Sequence, residues 1–225
     1  RATCFYRACS RVRSRSLTPP PDPMPHANTE DQLVEQPAIQ LFAAMGWETV
    51  SASDEVLGTT ETLGRETTAD VVLASRLRAA LERLNPTVPP EALTIAIESL
   101  TRNRSTMSLV AANREVYDLL KNGISVSVPD REHGGQKSER LRIIDWQNAL
   151  AANDFLLVRQ MTSTGALYTC RPDLIGFVNG LPLVVVELKK PGIPAKQAFD
   201  DNLTSYKHPQ NGIPSLFWYN ALLIA

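Results

Sequence analysis

The chain has 225 residues, 43% of them hydrophobic and 21% charged, with a formal net charge of -1. That is chain for about one or two globular domains, and no apolar run is long enough to span a bilayer. The near-neutral balance argues against a free-standing DNA-binding module, which draws its affinity from an excess of Lys and Arg over the phosphates it meets.

Residues 1–25 carry five arginines, no acid before Asp22 and the run Pro19-Pro20-Pro21. Such a stretch cannot bury enough apolar surface to offset its ordering entropy, so 1–28 is read as a disordered or non-native leader and 29–225 as the folded domain. An arginine- and serine-rich start is also the pattern of an organellar transit peptide. Cys4, Cys9 and the prolines make no clean amphipathic helix, however, and Met24 would serve as an ordinary start. The cytoplasm is therefore the expected location.

Glu30 to Met45 reads as a helix, with Leu33, Ile39, Leu41, Phe42 and Met45 partly periodic and Gly46 ending it. A helical insertion is expected over about 66–122. Asp70–Leu84 presents Leu73, Leu77, Leu81 and Leu84 at helical spacing and stops at Asn85-Pro86; Pro90–Leu100 follows, then Leu109–Asn122, ended by Gly123. Strands are predicted at Ile124–Val128, Leu141–Trp146 and Phe155–Met161, with polar, glycine-bearing Asp130–Arg140 as an exposed hairpin loop.

The most informative segment comes next. Arg171-Pro172-Asp173 opens an apolar run that turns at Asn179-Gly180, and Leu183 to Val186 then delivers Glu187-Leu188-Lys189. Hardly a polar position interrupts either strand, so both faces of their sheet are expected to be covered. Side chains two apart on a strand share a face, which aims Glu187 and Lys189 the same way. Asp173 joins them only if the register sets it opposite Glu187. A loop of three or five residues does this, whereas a two-residue turn sets it opposite Val186; the odd loop is expected. Pro182 fits a strand end better than a tight ladder, which favours that choice. Two carboxylates so placed suit a hard divalent cation, with a main-chain carbonyl and waters completing the shell. For an isolated Glu-x-Lys the simpler account is an ion pair closing a strand edge.

Other chemistries find no support in the residues. His26, His133 and His208 are scattered, Cys4, Cys9 and Cys170 form no Cys-x-x-Cys, and no zinc spacing occurs. Nor is there a Gly-x-x-x-x-Gly-Lys-Ser/Thr loop for ATP.

Pro172-Asp173 followed by Glu187-Leu188-Lys189 matches the PD-(D/E)xK nuclease signature, and Arg171 to Lys189 as a whole resembles the amino-terminal nuclease domain of the R subunit of type I restriction enzymes. Leu84-Asn85-Pro86, Asn113-Arg114, Ile143-Ile144-Asp145-Trp146, Asn153-Asp154-Phe155 and Pro214 to Asn220 fall in the order that family uses. The resemblance implies an α/β fold of the restriction-endonuclease type, a mixed sheet flanked by helices, with catalytic Asp173, Glu187 and Lys189 and with Mg2+ on Asp173 and Glu187. It implies a helix carrying Gln-x-x-x-Tyr after the Glu-x-Lys strand. Lys196–Tyr206 stands there, with Phe199, Leu203 and Tyr206 on its apolar face, Asn202 in the glutamine position and Tyr206 in the tyrosine position. It also implies a glutamate on an early helix, for which Glu35 is the candidate and Glu30 the second.

The expected activity is that of a type I site-specific deoxyribonuclease, cutting unmodified duplex DNA in a complex with methyltransferase and specificity subunits and not at a membrane. In that family ATP serves a motor that follows the nuclease domain; the apolar ending at Asn220 to Ala225 is read as a strand from which more protein continues. Arg171, Lys190, Lys196 and Lys207 are the basic candidates for the substrate groove. A competing reading keeps the same fold as a catalytically silent docking domain whose carboxylates only brace the hairpin.

Overall fold

The computed structural model describes residues 31–58, 62–130 and 133–225. The leader read at 1–28, and Glu30, lie outside them.

Asp31–Glu35 forms a wide π-type turn that runs into α1 (Gln36–Ala44), and Gly46, at φ +90°, ends the helix. Ile39 and Phe42 pack on the core, while Leu33, Leu41 and Met45 are exposed. The apolar periodicity of this helix is therefore only half used. β1 (Glu48–Ser51) was not visible in the sequence because its four residues carry no alternation.

The predicted insertion becomes α2 (Ala74–Leu84), α3 (Pro90–Thr101) and α4 (Leu109–Asn122). Leu77, Leu81 and Leu84 are buried as their spacing implies. The first helix starts four residues later than expected, because Asp70 turns its carboxylate back to the amides of Glu66 and Thr67. Such side-chain bonding competes with helix. Ser108 caps α4 through Ala111 N–H, and Gly123, at φ +73°, closes it.

β2 (Ile124–Pro129) pairs antiparallel with β3 (Gln136–Leu141) as a separate two-stranded ribbon. This corrects the sequence reading, which put a loop at Asp130–Arg140 and a strand at Leu141–Trp146. Val126 and Val128 point inward, whereas Ser125, Ser127, Ser138 and Arg140 face solvent, so the ribbon can afford a polar outer strand. Ile143 and Ile144 are buried without belonging to a strand. Side chains serve the backbone of this segment instead: Asn179 donates to Ile143 O at 2.9 Å, and Asn153 donates to the neighbouring Asp145 O at 2.9 Å.

A short helix, α5 (Ala149–Ala152), precedes β4 (Phe155–Arg159); β5 (Ser163–Thr164) and β6 (Thr169–Cys170) form a small hairpin before β7 (Leu174–Val178) and β8 (Leu181–Val186). After these come α6 (Ala195–Gln197), a π-type turn over Ala198–Leu203, α7 (Thr204–Tyr206), α8 (Pro214–Phe217) and β9 (Leu222–Ile224). The central mixed sheet has the order β1-β4-β7-β8-β9, with β1/β4 and β8/β9 parallel and the inner pairs antiparallel. Every residue of β7 and β8 is buried, as expected for strands covered on both faces by helices.

The loop between these two strands is Asn179-Gly180, a two-residue turn with both φ values positive, +51° and +78°. The expected odd loop is therefore corrected. The register it was meant to produce arises another way: pairing runs Val178 to Leu181 and Phe177 to Pro182, then shifts so that Gly176 meets Val184 and Leu174 meets Val186. Leu183 is the extra residue of a β-bulge, next to a proline that has no N–H for the ladder. One step further along, Asp173 stands opposite Glu187. Gly180 also lets the turn touch α2, since an added Cβ would lie 2.6 Å from Leu73 O and 2.7 Å from Leu77 N.

Candidate active site

Asp173 precedes β7, and Glu187 and Lys189 follow β8, so the bulged hairpin brings all three to one end of the sheet. The Asp173 carboxylate accepts the Leu188 N–H at 2.7 Å, which locks it against the outgoing strand. Glu187 is only 3% exposed. Lys189 extends its ammonium to within 3.7 Å of Glu187 Oε1 and donates to Asn202 Oδ1 at 3.0 Å.

Asn202 bridges the pair. Its amide nitrogen donates to Glu187 Oε1 while its oxygen accepts from Lys189, so one short side chain contacts both charges. The Tyr206 hydroxyl donates to Glu187 Oε2 at 3.3 Å and lies 3.5 Å from Asn202 Nδ2. Both residues thus stand where the sequence placed them. The expected apolar face is only partly right: Leu203 is buried and Tyr206 half-buried, but Phe199 is 46% exposed. The π-type turn over Ala198–Leu203 widens the helix, rotating Ala198 inward in its place. The freed Phe199 ring lies under the Lys207 ammonium, 4.8 Å from its centroid.

Burial pushes the Glu187 carboxyl up to about 7, the negative charge of Asp173 pushes the same way, and the Lys189 ammonium and the Tyr206 hydroxyl oppose them. Two carboxylates crowded at a dry sheet end resist ionising together. Cys170, half-buried on β6, has its thiol raised by burial and by the charge of Glu187, and it adds no donor that the site requires. The Tyr206 phenol is raised mainly by burial, so it remains a neutral donor.

Glu35 reaches this end of the sheet from the opposite end of the domain sequence. It is 6% exposed, accepts from Arg159 Nε at 2.7 Å and from Gln160 Nε2 at 3.4 Å, and its carboxyl is raised by burial against the Arg159 charge. Asp173 also acts electrostatically on it. Arg159 and Gln160 were not foreseen. The signal was present, because Arg159 ends an apolar strand in the same manner as Glu187, but it stands in no recognised motif.

Among the described residues, no group of three or more His, Cys, Asp or Glu side chains is gathered into a ready-made metal cage. Of the basic candidates, Arg171 and Lys190 are exposed, Lys196 is paired with Asp200, and Lys207 sits over Phe199. No helix among the described residues is long and apolar enough to cross a membrane.

The family model described as "Type I restriction enzyme R protein N terminus" matches residues 27–225. The "Type I restriction enzyme HindI endonuclease subunit" of Haemophilus influenzae is 35% identical over 195 residues, which is 85% of this chain and 18% of that protein. The "Putative type I restriction enzyme MjaIXP endonuclease subunit" of Methanocaldococcus jannaschii is 30% identical over 202 residues, 87% of this chain and 18% of that protein. The chain therefore spans less than a fifth of the length of these two relatives.

Proposed function

The chain belongs to the family of type I restriction enzyme R protein N-terminal regions, and from that premise we propose that it is a metal-dependent endonuclease domain acting on duplex DNA. The observation that carries this reading is the register: the bulge at Leu183 sets Asp173 opposite Glu187, with Lys189 3.7 Å from Glu187. A silent docking domain would have no use for that alignment. Carboxylates that merely braced the hairpin would be better placed apart, where the charge of Asp173 did not raise the Glu187 carboxyl.

The donors fit a magnesium ion. Two carboxylates that repel one another across one hairpin offer hard oxygens, and magnesium characteristically takes one or two of these and fills the rest of its shell with water and phosphate. Asp173 and Glu187 would hold the ion, which when bound supplies a Lewis acid for the phosphate and a water of lowered pKa.

The protein's own groups supply the rest. Lys189 presents a compact positive charge beside Glu187, where it stabilises the anionic transition state or orients the attacking water. Asn202 fixes that ammonium and the Glu187 carboxylate relative to each other. Tyr206 holds the second Glu187 oxygen from the other side. Buried Leu174, Val185 and Val186 keep bulk water from the strand ends and so strengthen every charge interaction there.

We place this activity in a restriction complex: cleavage of unmodified duplex DNA after ATP-driven translocation by a motor elsewhere in the full-length protein, with methyltransferase and specificity subunits as partners and the cytoplasm as location. The near-zero net charge supports a module to which DNA is delivered rather than one that captures it. The test is DNA scission by the assembled complex carrying Asp173→Ala or Lys189→Ala. Loss of scission with ATP use intact is expected; cutting by both variants would refute the assignment.

A further inference from the structure

Gln160 holds a left-handed backbone, φ +57°, a conformation that side chains other than glycine and asparagine rarely adopt. It does so immediately beside the candidate site, and both ends of the residue are engaged. Its N–H donates to Asp173 O at 2.9 Å, and its side-chain amide donates to Glu35 Oε1 at 3.4 Å. Arg159, one residue earlier and opposite Leu174 in the sheet, donates to the same Glu35 oxygen at 2.7 Å. Its own carbonyl accepts from Ala52 N–H at 2.9 Å, so the pair is anchored to the backbone on both sides.

The arrangement solves a specific problem. Glu35 is a nearly buried carboxylate carried by the turn Asp31–Glu35, and burial raises its carboxyl above the usual range. Arg159 supplies the compensating charge. Gln160 supplies the geometry, because the same residue that hydrogen-bonds the main chain of Asp173 also reaches Glu35. Residues held in such sparsely populated backbone regions cluster at active sites and ligand clamps.

We propose that Arg159 and Gln160 form a positioning unit that suspends Glu35 as an outer carboxylate beside Asp173, and so set the field at the cation site. This rests on the nuclease reading above. Glu35 is not gathered with Asp173 and Glu187 into one three-ligand cage, so it acts from outside the ion's direct ligands. Outer partners of this kind commonly tune metal affinity by about 10- to 100-fold.

The test uses full-length protein without nucleotide, with Mn2+ as the probe, and reads affinity by calorimetry and unfolding by thermal melting. Gln160→Gly removes the amide tether and relieves the left-handed strain, so it should weaken Mn2+ binding about three- to tenfold, the worth of one hydrogen bond, without lowering the melting temperature. Glu35→Gln should weaken it by about tenfold or more. In the Glu35→Gln background, Gln160→Gly should have no further effect, because a residue that acts through Glu35 is silent once that charge is gone. Arg159→Lys should retain more affinity than Arg159→Ala. Unchanged affinity in Gln160→Gly, or additive losses in the double variant, would overturn the proposal. Asp173→Ala separates the two ideas in a cleavage assay of the assembled complex. DNA cutting by that variant removes the nuclease reading, whereas its inactivity beside unaltered Mn2+ affinity in Gln160→Gly removes the positioning role alone.

Discussion

Replacing Glu187 with glutamine should stabilise the metal-free protein at alkaline pH and do little in acid. The Glu187 carboxyl is raised from 4.5 to about 7 in the fold, first by burial and then by Asp173. A carboxylate whose folded pKa lies above its unfolded value favours the fold while protonated. Its contribution is complete below about 4.5 and is lost as pH rises through about 7. That rise corresponds to about 3 kcal/mol at full ionisation, most of it developing between about pH 5 and pH 8. At about 2–4 °C per kcal/mol for a domain of this size, Glu187→Gln should melt several degrees above the parent at pH 8 in EDTA, and nearly with it at pH 5. Saturating Mn2+ should close the gap from the other side by stabilising the parent alone. The assay is thermal denaturation across that pH range with and without the metal. An equal difference at both pH values, or a variant less stable than the parent at pH 8, would refute the reasoning that Glu187 is a strained, cation-awaiting carboxylate.

Other predictions follow from the same geometry. Inserting one residue between Val185 and Val186 shifts the ladder so that Val186, not Glu187, stands opposite Asp173, and should abolish DNA cleavage while leaving a folded sheet, as read by circular dichroism. Gly180→Ala places a Cβ 2.6 Å from Leu73 O at φ +78° and should cost about 1–3 kcal/mol in urea denaturation. Asn202→Ala should lower the cleavage rate by about tenfold or more through loss of the bridge between Lys189 and Glu187, and Asn202→Gln should recover part of it.

The site was legible where chemistry and periodicity coincide. Charged residues at the ends of two uninterrupted apolar strands have few alternatives, so Asp173, Glu187 and Lys189 could be placed at one sheet end from their spacing, and Asn202 and Tyr206 from family likeness. The register was reached by the wrong route, because a bulge leaves no mark in the sequence beyond Pro182, and the turn dipeptide looked incompatible with the alignment it serves. Phe199 was misplaced because helical spacing assumes an α-helix, and the π-type turn gains a residue there. Strand β3 was missed because Gln136 to Arg140 carry no apolar alternation, and its stability comes from pairing with β2. Arg159 and Gln160 act through tertiary contacts to a residue more than a hundred positions away, for which local pattern offers no warrant.

The most direct measurement is anomalous diffraction from crystals soaked in Mn2+. The account predicts one ion coordinated by carboxylate oxygens of both Asp173 and Glu187, at about the 2.0–2.1 Å typical of a magnesium-like site, with Lys189 beside it. Saturating Mn2+ that leaves this end of the sheet without anomalous signal, or that binds elsewhere while Asp173 and Glu187 stay uncoordinated, would contradict it.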